Sequence, residues 1–172
     1  MNTPIRVLVL ALAVAGLGAC KKETVRPADT TPPATTASTP TTPAPDDNWT
    51  DPRLLDSKPC LVSRIAYFDF DQSVVKSEAM EMLKCHGKWL SANPGARISL
   101  EGHADERGTR EYNLGLGERR GNAVRDLLLA NGGRGEQVTV VSYGEERPIC
   151  TDSDESCWSK NRRGEIVYTA KQ

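Results

Sequence analysis

The stretch Gly102–Arg120, which reads GHADERGTREYNLGLGERR, decides the fold of this chain. It begins where an apolar, strand-like segment, Arg97–Glu101 (RISLE), ends, and it continues into an amphipathic helical pattern. A loop acid, Asp105, lies between the two patterns. Two polar residues of the predicted helix, Asn113 and Arg120, are seven positions apart and therefore lie on one helical face. An acid and a base at the junction of a strand end and a helix start can bind a zwitterion.

Strand and helix patterns alternate on both sides of that stretch. The predicted strands are Ile65–Phe70, Arg97–Glu101, Gln137–Ser142 and Gly164–Thr169. The predicted helices are Val74–Asn93 and Glu111–Asn131, and the segment Tyr143–Lys160 is predicted to be a loop. The order β-α-β-α-β-β predicts an α/β domain, more closely an α+β sandwich, in which helices cover one face of a mixed four-stranded sheet.

The N-terminus has the pattern of a targeting segment. Arg6 precedes an apolar run, Val7–Leu17, that is too short to span a bilayer. This run leads into Leu-Gly-Ala-Cys ending at Cys20, which resembles a bacterial lipobox, so we expect a signal peptide at residues 1–19 and acylation of Cys20. An ordinary secretory signal followed by an incidental cysteine is the alternative. Lys21 and Lys22 stand where inner-membrane lipoproteins typically carry aspartate, which favours the periplasmic face of the outer membrane.

Composition separates a linker from a folded part. Thr, Pro and Ala dominate Lys21–Asp47 without any apolar period, so this segment is expected to be a flexible tether. The predicted division is a lipidated linker at residues 20–58 and a folded domain at residues 59–172. The formal net charge of −1 gives no bulk electrostatic reason to expect a nucleic-acid partner.

Four cysteines follow the lipobox: Cys60, Cys85, Cys150 and Cys157. In an exported chain, four cysteines allow three disulfide pairings. We favour Cys60–Cys85, which would tie the approach to the first strand to the first helix, and Cys150–Cys157, which would close a short loop. A zinc site is the alternative, but no two of these cysteines are two to four positions apart. We therefore expect no metal.

Four blocks, in order along Ile65–Tyr168, resemble the OmpA-like peptidoglycan-binding domain, and most closely the peptidoglycan-associated lipoprotein (Pal) family. They are YFDFD at Tyr67–Asp71, the run Gly102–Arg120, VSYGEERP at Val141–Pro148 and SKNRR at Ser159–Arg163. The resemblance implies non-covalent binding to the peptide stem of peptidoglycan, no catalysis and no cofactor. It also implies a tether between outer membrane and cell wall in the Tol–Pal system, with the periplasmic β-propeller TolB and TolA as partners. Another wall-binding lipoprotein outside that system is the alternative.

The resemblance further assigns ligand-binding residues. A stem that contains meso-diaminopimelate ends in an ammonium and a carboxylate on one carbon. Asp105 is expected to face the ammonium, and Arg120 the carboxylate, which suits the planar guanidinium fork. Asn113 matches a ligand-contacting asparagine near the helix start, where spare N–H groups favour an anion. The remaining matches are two residues at the end of the first strand, Phe70 and Asp71, and one in the closing NRR, Arg162.

Each assignment has a purely structural alternative. Asp105 and Arg120 could form a salt bridge with each other, Asn113 could cap the helix or lie on its surface, and Phe70 could belong to the core. Acids and histidines after strands also permit a cell-wall hydrolase with a metal, although neighbouring arginines would oppose a cation. Outside this set, the sequence predicts solvated charges at Glu106, Arg107 and Arg119, and a core side chain at Trp89.

Overall fold

The computed structural model describes residues 48–171; the predicted signal peptide, Cys20 and most of the predicted linker lie outside that range. The strands are β1 (Ile65–Tyr67), β2 (Arg97–His103), β3 (Val138–Gly144) and β4 (Arg163–Ala170). The helices are α1 (Leu54–Ser57), α2 (Pro59–Val62), α3 (Met80–Ala92), α4 (Arg110–Ala130) and α5 (Glu155–Asn161). Two 3₁₀ turns, Ser77–Ala79 and Gly135–Gln137, precede α3 and β3. No helix within residues 48–171 is long and apolar enough to cross a membrane.

The four strands form one mixed sheet in the order β1-β4-β2-β3. Strands β2 and β3 are parallel, whereas β4 is antiparallel to both β1 and β2. Helix α4 packs against β2 and β3, and α3 packs against α4. The core between helices and sheet includes Trp89, Leu90, Ile98, Leu100, Leu128 and Ile166. The predicted mixed four-stranded α/β fold is therefore confirmed, as is the core position of Trp89.

Three of the predicted elements differ in the structure. Strand β1 ends at Tyr67 and not at residue 70; one further bond in the same register follows it, from the Phe68 N–H to the Arg162 carbonyl at 3.0 Å. Helix α3 begins at Met80 rather than at residue 74. Helix α5 lies within the predicted loop; its N-cap, Asp154, accepts a hydrogen bond from the Cys157 N–H at 3.1 Å. The outline was right and these boundaries were wrong.

The folded part begins earlier than the predicted boundary at residue 59. Leu55 in α1 is fully buried, and the Asn93 side chain donates to the Trp49 carbonyl at 2.8 Å. The Trp49 ring also lies beneath the Lys88 ammonium, 4.3 Å from its centroid. Residues 48–58 therefore belong to the domain and not to the linker.

Two disulfides are present, in the predicted pairing. Cys60 and Cys85 join α2 to α3 with a Cα–Cα distance of 6.0 Å. Cys150 and Cys157 close the loop that leads into α5, with a Cα–Cα distance of 5.3 Å. One bridge holds the N-terminal helices, and the other holds the segment between β3 and β4.

Helix α4 lies directly on the backbone of β2. Gly102 in β2 faces Gly117 in α4, and a Cβ atom on either residue would overlap the backbone of the other. One turn further on, a Cβ at Gly121 would come within 2.6 Å of the Val140 side chain. An interior glycine costs about 1 kcal/mol of helix stability, but here it permits the close approach. The approach fixes the position of the α4 side chains relative to the end of β2.

Candidate ligand-binding site

The turn after β1, the loop between β2 and α4, and the first turns of α4 meet around a cavity of about 200 Å³, which we call the α4 cavity. It is lined by Phe70, Asp71, Asp105, Arg107, Gly108, Tyr112, Asn113, Leu116 and Arg120. Five of the six residues that the sequence assigned to a ligand are in this lining. The sixth, Arg162, does not line the cavity; its Nη1 donates to Asp105 Oδ2 at 3.2 Å.

Asp105 is buried and accepts four hydrogen bonds. Its Oδ1 accepts from the backbone N–H and from Nε of Arg107, both at 3.1 Å. Its Oδ2 accepts from Arg107 Nη2 at 2.6 Å and from Arg162 Nη1 at 3.2 Å. Burial acts to raise the pKa of Asp105, but the hydrogen bonds from Arg107 and Arg162 outweigh it and hold the pKa below its ordinary value. The carboxylate is therefore ionised at neutral pH.

Arg120 is fully buried and holds three backbone carbonyls together. Its Nε donates to Gln72 at 2.8 Å, Nη1 to His103 at 2.7 Å and Nη2 to Asp69 at 3.1 Å. Burial lowers the pKa of Arg120 to about 10, so it remains a cation at neutral pH. A guanidinium has five N–H donors. The three bonds use one N–H of each terminal nitrogen, so each of these nitrogens has a second N–H, and Arg120 lines the α4 cavity.

The structure contradicts the simple salt-bridge alternative. Among residues 48–171, Asp105 pairs with Arg107 and Arg162, whereas Arg120 bonds to backbone carbonyls. Asp105 and Arg120 therefore contribute opposite charges to the same cavity without neutralising each other by direct contact.

Asn113 lies in the first turn of α4 and is buried. It does not cap the helix, because Thr109 has that role and accepts from the Tyr112 N–H at 3.2 Å. The Asn113 amide donates to the Asp105 carbonyl at 3.2 Å and to the Glu145 carboxylate. Asn113 and Arg120 both line the cavity, as their seven-residue spacing predicted. The capping and surface alternatives for Asn113 were both wrong.

Phe70 and Asp71 form the outer rim of the cavity. Phe70 is 54% exposed, so the core alternative for it was wrong. Asp71 has a left-handed backbone with φ of 57°, and its carboxylate accepts from the Tyr112 hydroxyl. This bond joins the turn after β1 to the first turn of α4 across the mouth of the cavity.

Arg162 acts behind the cavity wall. Its Nε donates to the Phe68 carbonyl at 3.0 Å, and its Nη2 donates to the Glu155 carboxylate. Its third contact is the bond to Asp105 described above. Arg162 thus connects α5, the end of β1 and the buried carboxylate.

Sequence reasoning missed Arg107. It is not a solvated charge: its side chain is 30% exposed, bonds to both oxygens of Asp105, and stacks against two aromatic rings. Arg107 is two residues after a loop aspartate, and an aspartate side chain often accepts a hydrogen bond from the backbone N–H of residue i+2. This spacing was the available signal. Glu106 and Arg119 are exposed, as predicted. Within residues 48–171, no group of three His, Cys, Asp or Glu side chains could hold a metal ion.

Comparison with known proteins gives the same assignment. The OmpA family profile matches residues 67–162. The peptidoglycan-associated lipoprotein of Pseudomonas putida is 54% identical over 100 residues, which cover 58% of this chain and 60% of that protein. The protein of the same name from Agrobacterium fabrum is 46% identical over 101 residues, or 59% and 57% of the two chains. The match thus spans less than two thirds of these relatives.

Solved structures support the fold over a larger share of the chain. The crystal structure of the peptidoglycan-associated lipoprotein from Burkholderia pseudomallei superimposes with a TM-score of 0.66 at 41% identity, covering 69% of this chain and all of that one. The C-terminal domain of Helicobacter pylori MotB, at 20% identity and a TM-score of 0.57, shares the fold alone. The chain therefore belongs to the OmpA family, and its resemblance to the peptidoglycan-associated lipoproteins is confirmed.

Proposed function

We propose that this protein is an outer-membrane lipoprotein whose domain binds the meso-diaminopimelate stem of peptidoglycan without catalysis. The observation that carries the proposal is the α4 cavity, in which a buried carboxylate and a buried guanidinium line one small space. Removal of residues 1–19, acylation of Cys20 and a tether up to about residue 47 complete the proposed organisation. The protein would thereby connect the outer membrane to the cell wall.

The charges of the cavity fit the end of the proposed ligand. The two remaining donors of Arg120 suit a carboxylate, and the start of α4 adds the partial positive charge of a helix N-terminus. Asp105 supplies the negative charge for the ammonium. Phe70 and Tyr112 offer apolar surface at the mouth to the methylene chain between the two ends of diaminopimelate.

Binding without turnover fits this chemistry better than hydrolysis. A general acid needs a pKa near the working pH, whereas the arginine contacts of Asp105 hold its pKa below the ordinary value. Asp105 is therefore a poor proton donor at neutral pH and a good fixed anion.

Titration of the purified protein with a stem peptide that ends in meso-diaminopimelate tests the binding site. We expect saturable binding, and Asp105→Asn should weaken it by about 2–5 kcal/mol because the ligand ammonium loses its counter-charge. Glu118→Gln, an exposed change on α4, is the matched control and should bind like wild type. A lysine-type stem, which lacks the distal carboxylate, should bind more weakly. Equal affinity for both stems would contradict the role of Arg120.

Incubation with purified sacculi separates a wall-binding protein from a wall hydrolase. The protein should sediment with the sacculi and release no soluble fragments. Released fragments would support the hydrolase alternative, and failure to sediment would contradict wall binding.

The proposal includes membership of the Tol–Pal system. It is supported by the relatives' shared name and by the four sequence blocks. Co-purification with the periplasmic β-propeller TolB from cross-linked envelopes tests it. Failure of TolB to co-purify, with wall binding intact, would favour a lipoprotein outside that system.

The proposed anchor is tested separately. The Cys20→Ser variant should leave the outer-membrane fraction, and its continued sedimentation with outer membranes at high salt would contradict acylation of Cys20.

A further inference from the structure

Several contacts hold the Arg107 side chain at the α4 cavity. Its guanidinium lies between two aromatic rings, 4.0 Å from the centroid of Phe70 and 4.2 Å from that of Trp158. Such stacking is attractive for a cation. Its Nη2 is also 3.7 Å from the Glu155 carboxylate. The side chain nevertheless remains 30% exposed, so it has an open path to solvent.

The Asp105 carboxylate has no unused acceptor position in this arrangement. An ionised carboxylate offers about four lone-pair sites. Three are filled by Arg107, through its backbone N–H, Nε and Nη2, and the fourth by Arg162. A ligand ammonium therefore cannot bond to Asp105 while the Arg107 side chain stays in place.

Of the two arginines that bond to Asp105, Arg107 has the side chain that can withdraw from the carboxylate. The Arg162 side chain is 5% exposed and is also tied to the Phe68 carbonyl and to Glu155. When the Arg107 side chain withdraws, its backbone N–H and Arg162 still hold the carboxylate in the same orientation. Two acceptor positions, one on each oxygen, then become available on the side that Arg107 covered.

We propose that Arg107 is an internal competitor for Asp105, a side-chain cation that occupies the position of the ligand ammonium until the ligand displaces it. This inference rests on the proposed binding of diaminopimelate. Arg107 then sets the affinity for ligands with an ammonium at that end, because each of them must replace its bonds to Asp105. A ligand with the distal carboxylate alone binds Arg120 and leaves Arg107 where it is.

Two stems and one substitution test this inference as a four-point cycle. One stem ends in meso-diaminopimelate, and the other in 2-aminopimelate, which keeps the distal carboxylate and lacks the distal ammonium. Arg107→Met keeps an unbranched apolar chain between the two rings but removes the cation. By titration calorimetry, the variant should bind the diaminopimelate stem about tenfold more tightly than wild type, a difference of about 1.4 kcal/mol. Its affinity for the 2-aminopimelate stem should stay within about twofold.

Arg110→Met is the matched control, because it removes the same charge near the start of α4. Arg110 is 60% exposed, pairs with Glu146 and does not line the cavity. It should leave both affinities within about twofold of wild type. Arg107→Lys, which keeps a cation without the planar fork, should tighten binding less than Arg107→Met does.

A second readout follows Arg107 directly. The Arg107 Nε–H signal in ¹⁵N NMR should be protected from solvent exchange in the free protein and lose that protection when the diaminopimelate stem binds. The 2-aminopimelate stem should leave it protected. If wild type binds neither stem, the proposed function fails. If wild type binds the diaminopimelate stem but Arg107→Met binds it equally well or more weakly, the competitor role of Arg107 is wrong and the function stands.

Discussion

At the scale of single residues, Arg120 shows why the sequence alone does not separate a candidate binding residue from a structural one. The seven-residue spacing correctly placed it beside Asn113 at the cavity. Its three bonds to carbonyls of the turn after β1 and the end of β2 could not be read from the sequence. Those acceptors are main-chain atoms, which every residue type supplies, so their positions follow only from the fold.

Arg120→Ala should therefore lower the free energy of unfolding as well as weaken binding. The substitution leaves three carbonyls without their donor, and we expect a loss of about 2–5 kcal/mol. Arg119→Ala changes the exposed neighbour and should stay within about 0.5 kcal/mol of wild type. Chemical denaturation of both variants measures the difference. A stability of Arg120→Ala equal to that of Arg119→Ala would mean that the carbonyl contacts contribute nothing.

Two buried histidines make stability depend on pH. Burial lowers the pKa of His86 to about 4 and that of His103 to about 3. Both values lie below the ordinary value of 6.5, so on acidification the unfolded chain takes up protons before the folded chain does. Stability should fall as pH drops below about 6.5, by up to about 1.4 kcal/mol per pH unit for each histidine. The loss should end near pH 4 for His86 and near pH 3 for His103.

His103→Phe should remove about half of this dependence between pH 6.5 and 5 and raise stability at pH 7. Both ring nitrogens of His103 lack a hydrogen-bond partner among residues 48–171, and its ring stacks on Tyr143 at 5.5 Å, a contact that phenylalanine keeps. His86→Phe is the contrasting change, because it breaks bonds to the Ser63 carbonyl and the Tyr168 hydroxyl and should destabilise at pH 7. Urea denaturation of each variant at pH 6.5 and pH 5 measures the difference. If the free energy of unfolding of His103→Phe changes with pH as much as that of wild type, His103 does not contribute to the pH dependence.

At the scale of elements, the sequence predicted the parts with long apolar periods and missed those set by contacts between distant segments. Helix α4 and strand β2 were each located to within two residues. Helix α5 was missed because seven residues are too few for a periodic pattern to emerge. The role of Arg107 was missed for a related reason: its aromatic neighbours, Phe70 and Trp158, lie far from it in the chain.

Two glycines of α4 provide a test of the contact between helix and sheet. Gly117→Ala should lower the free energy of unfolding by about 1–3 kcal/mol, because its Cβ would overlap Gly102 and Ser142. It should also weaken stem binding, since the helix must move away from the end of β2. Gly115→Ala is the matched control on the same helix: the nearest atom to its Cβ is a flexible Arg119 nitrogen at 3.4 Å. It should stabilise by up to about 1 kcal/mol. Similar effects for both would contradict the close approach.

At the scale of the whole molecule, the two disulfides hold different parts of the domain. The Cys60–Cys85 bridge joins α2 to α3 within the N-terminal part, whereas Cys150–Cys157 closes the segment that carries α5 and, through it, Arg162. The sequence allowed three pairings and favoured the one that the structure contains. It also could not show that residues 48–58 pack onto the domain, because one buried leucine and one tryptophan make no periodic signal.

The serine pair Cys60→Ser/Cys85→Ser should lower the free energy of unfolding by about 3–4 kcal/mol. It should leave stem affinity unchanged, because the two cysteines lie in α2 and α3 and no residue of either helix lines the cavity. The pair Cys150→Ser/Cys157→Ser should cost about 2 kcal/mol and also weaken binding, because it loosens the segment that holds Asp105 through Arg162. Thermal denaturation and titration of both pairs check this. If only Cys60→Ser/Cys85→Ser changed the affinity for the stem, the roles proposed for the two disulfides would be wrong.

The carbonyl contacts of Arg120 also have a genetic consequence. Under the proposed function, an Arg120 substitution should lower both the amount of folded protein and its binding to the wall, so the phenotype should resemble that of a deletion. A screen for alleles that keep normal protein levels but detach from the wall should therefore pass over Arg120. It should recover changes at rim positions such as Phe70, whose exposed ring supports no backbone. A selection for loss of wall binding alone would then miss Arg120, the residue proposed to bind the ligand carboxylate.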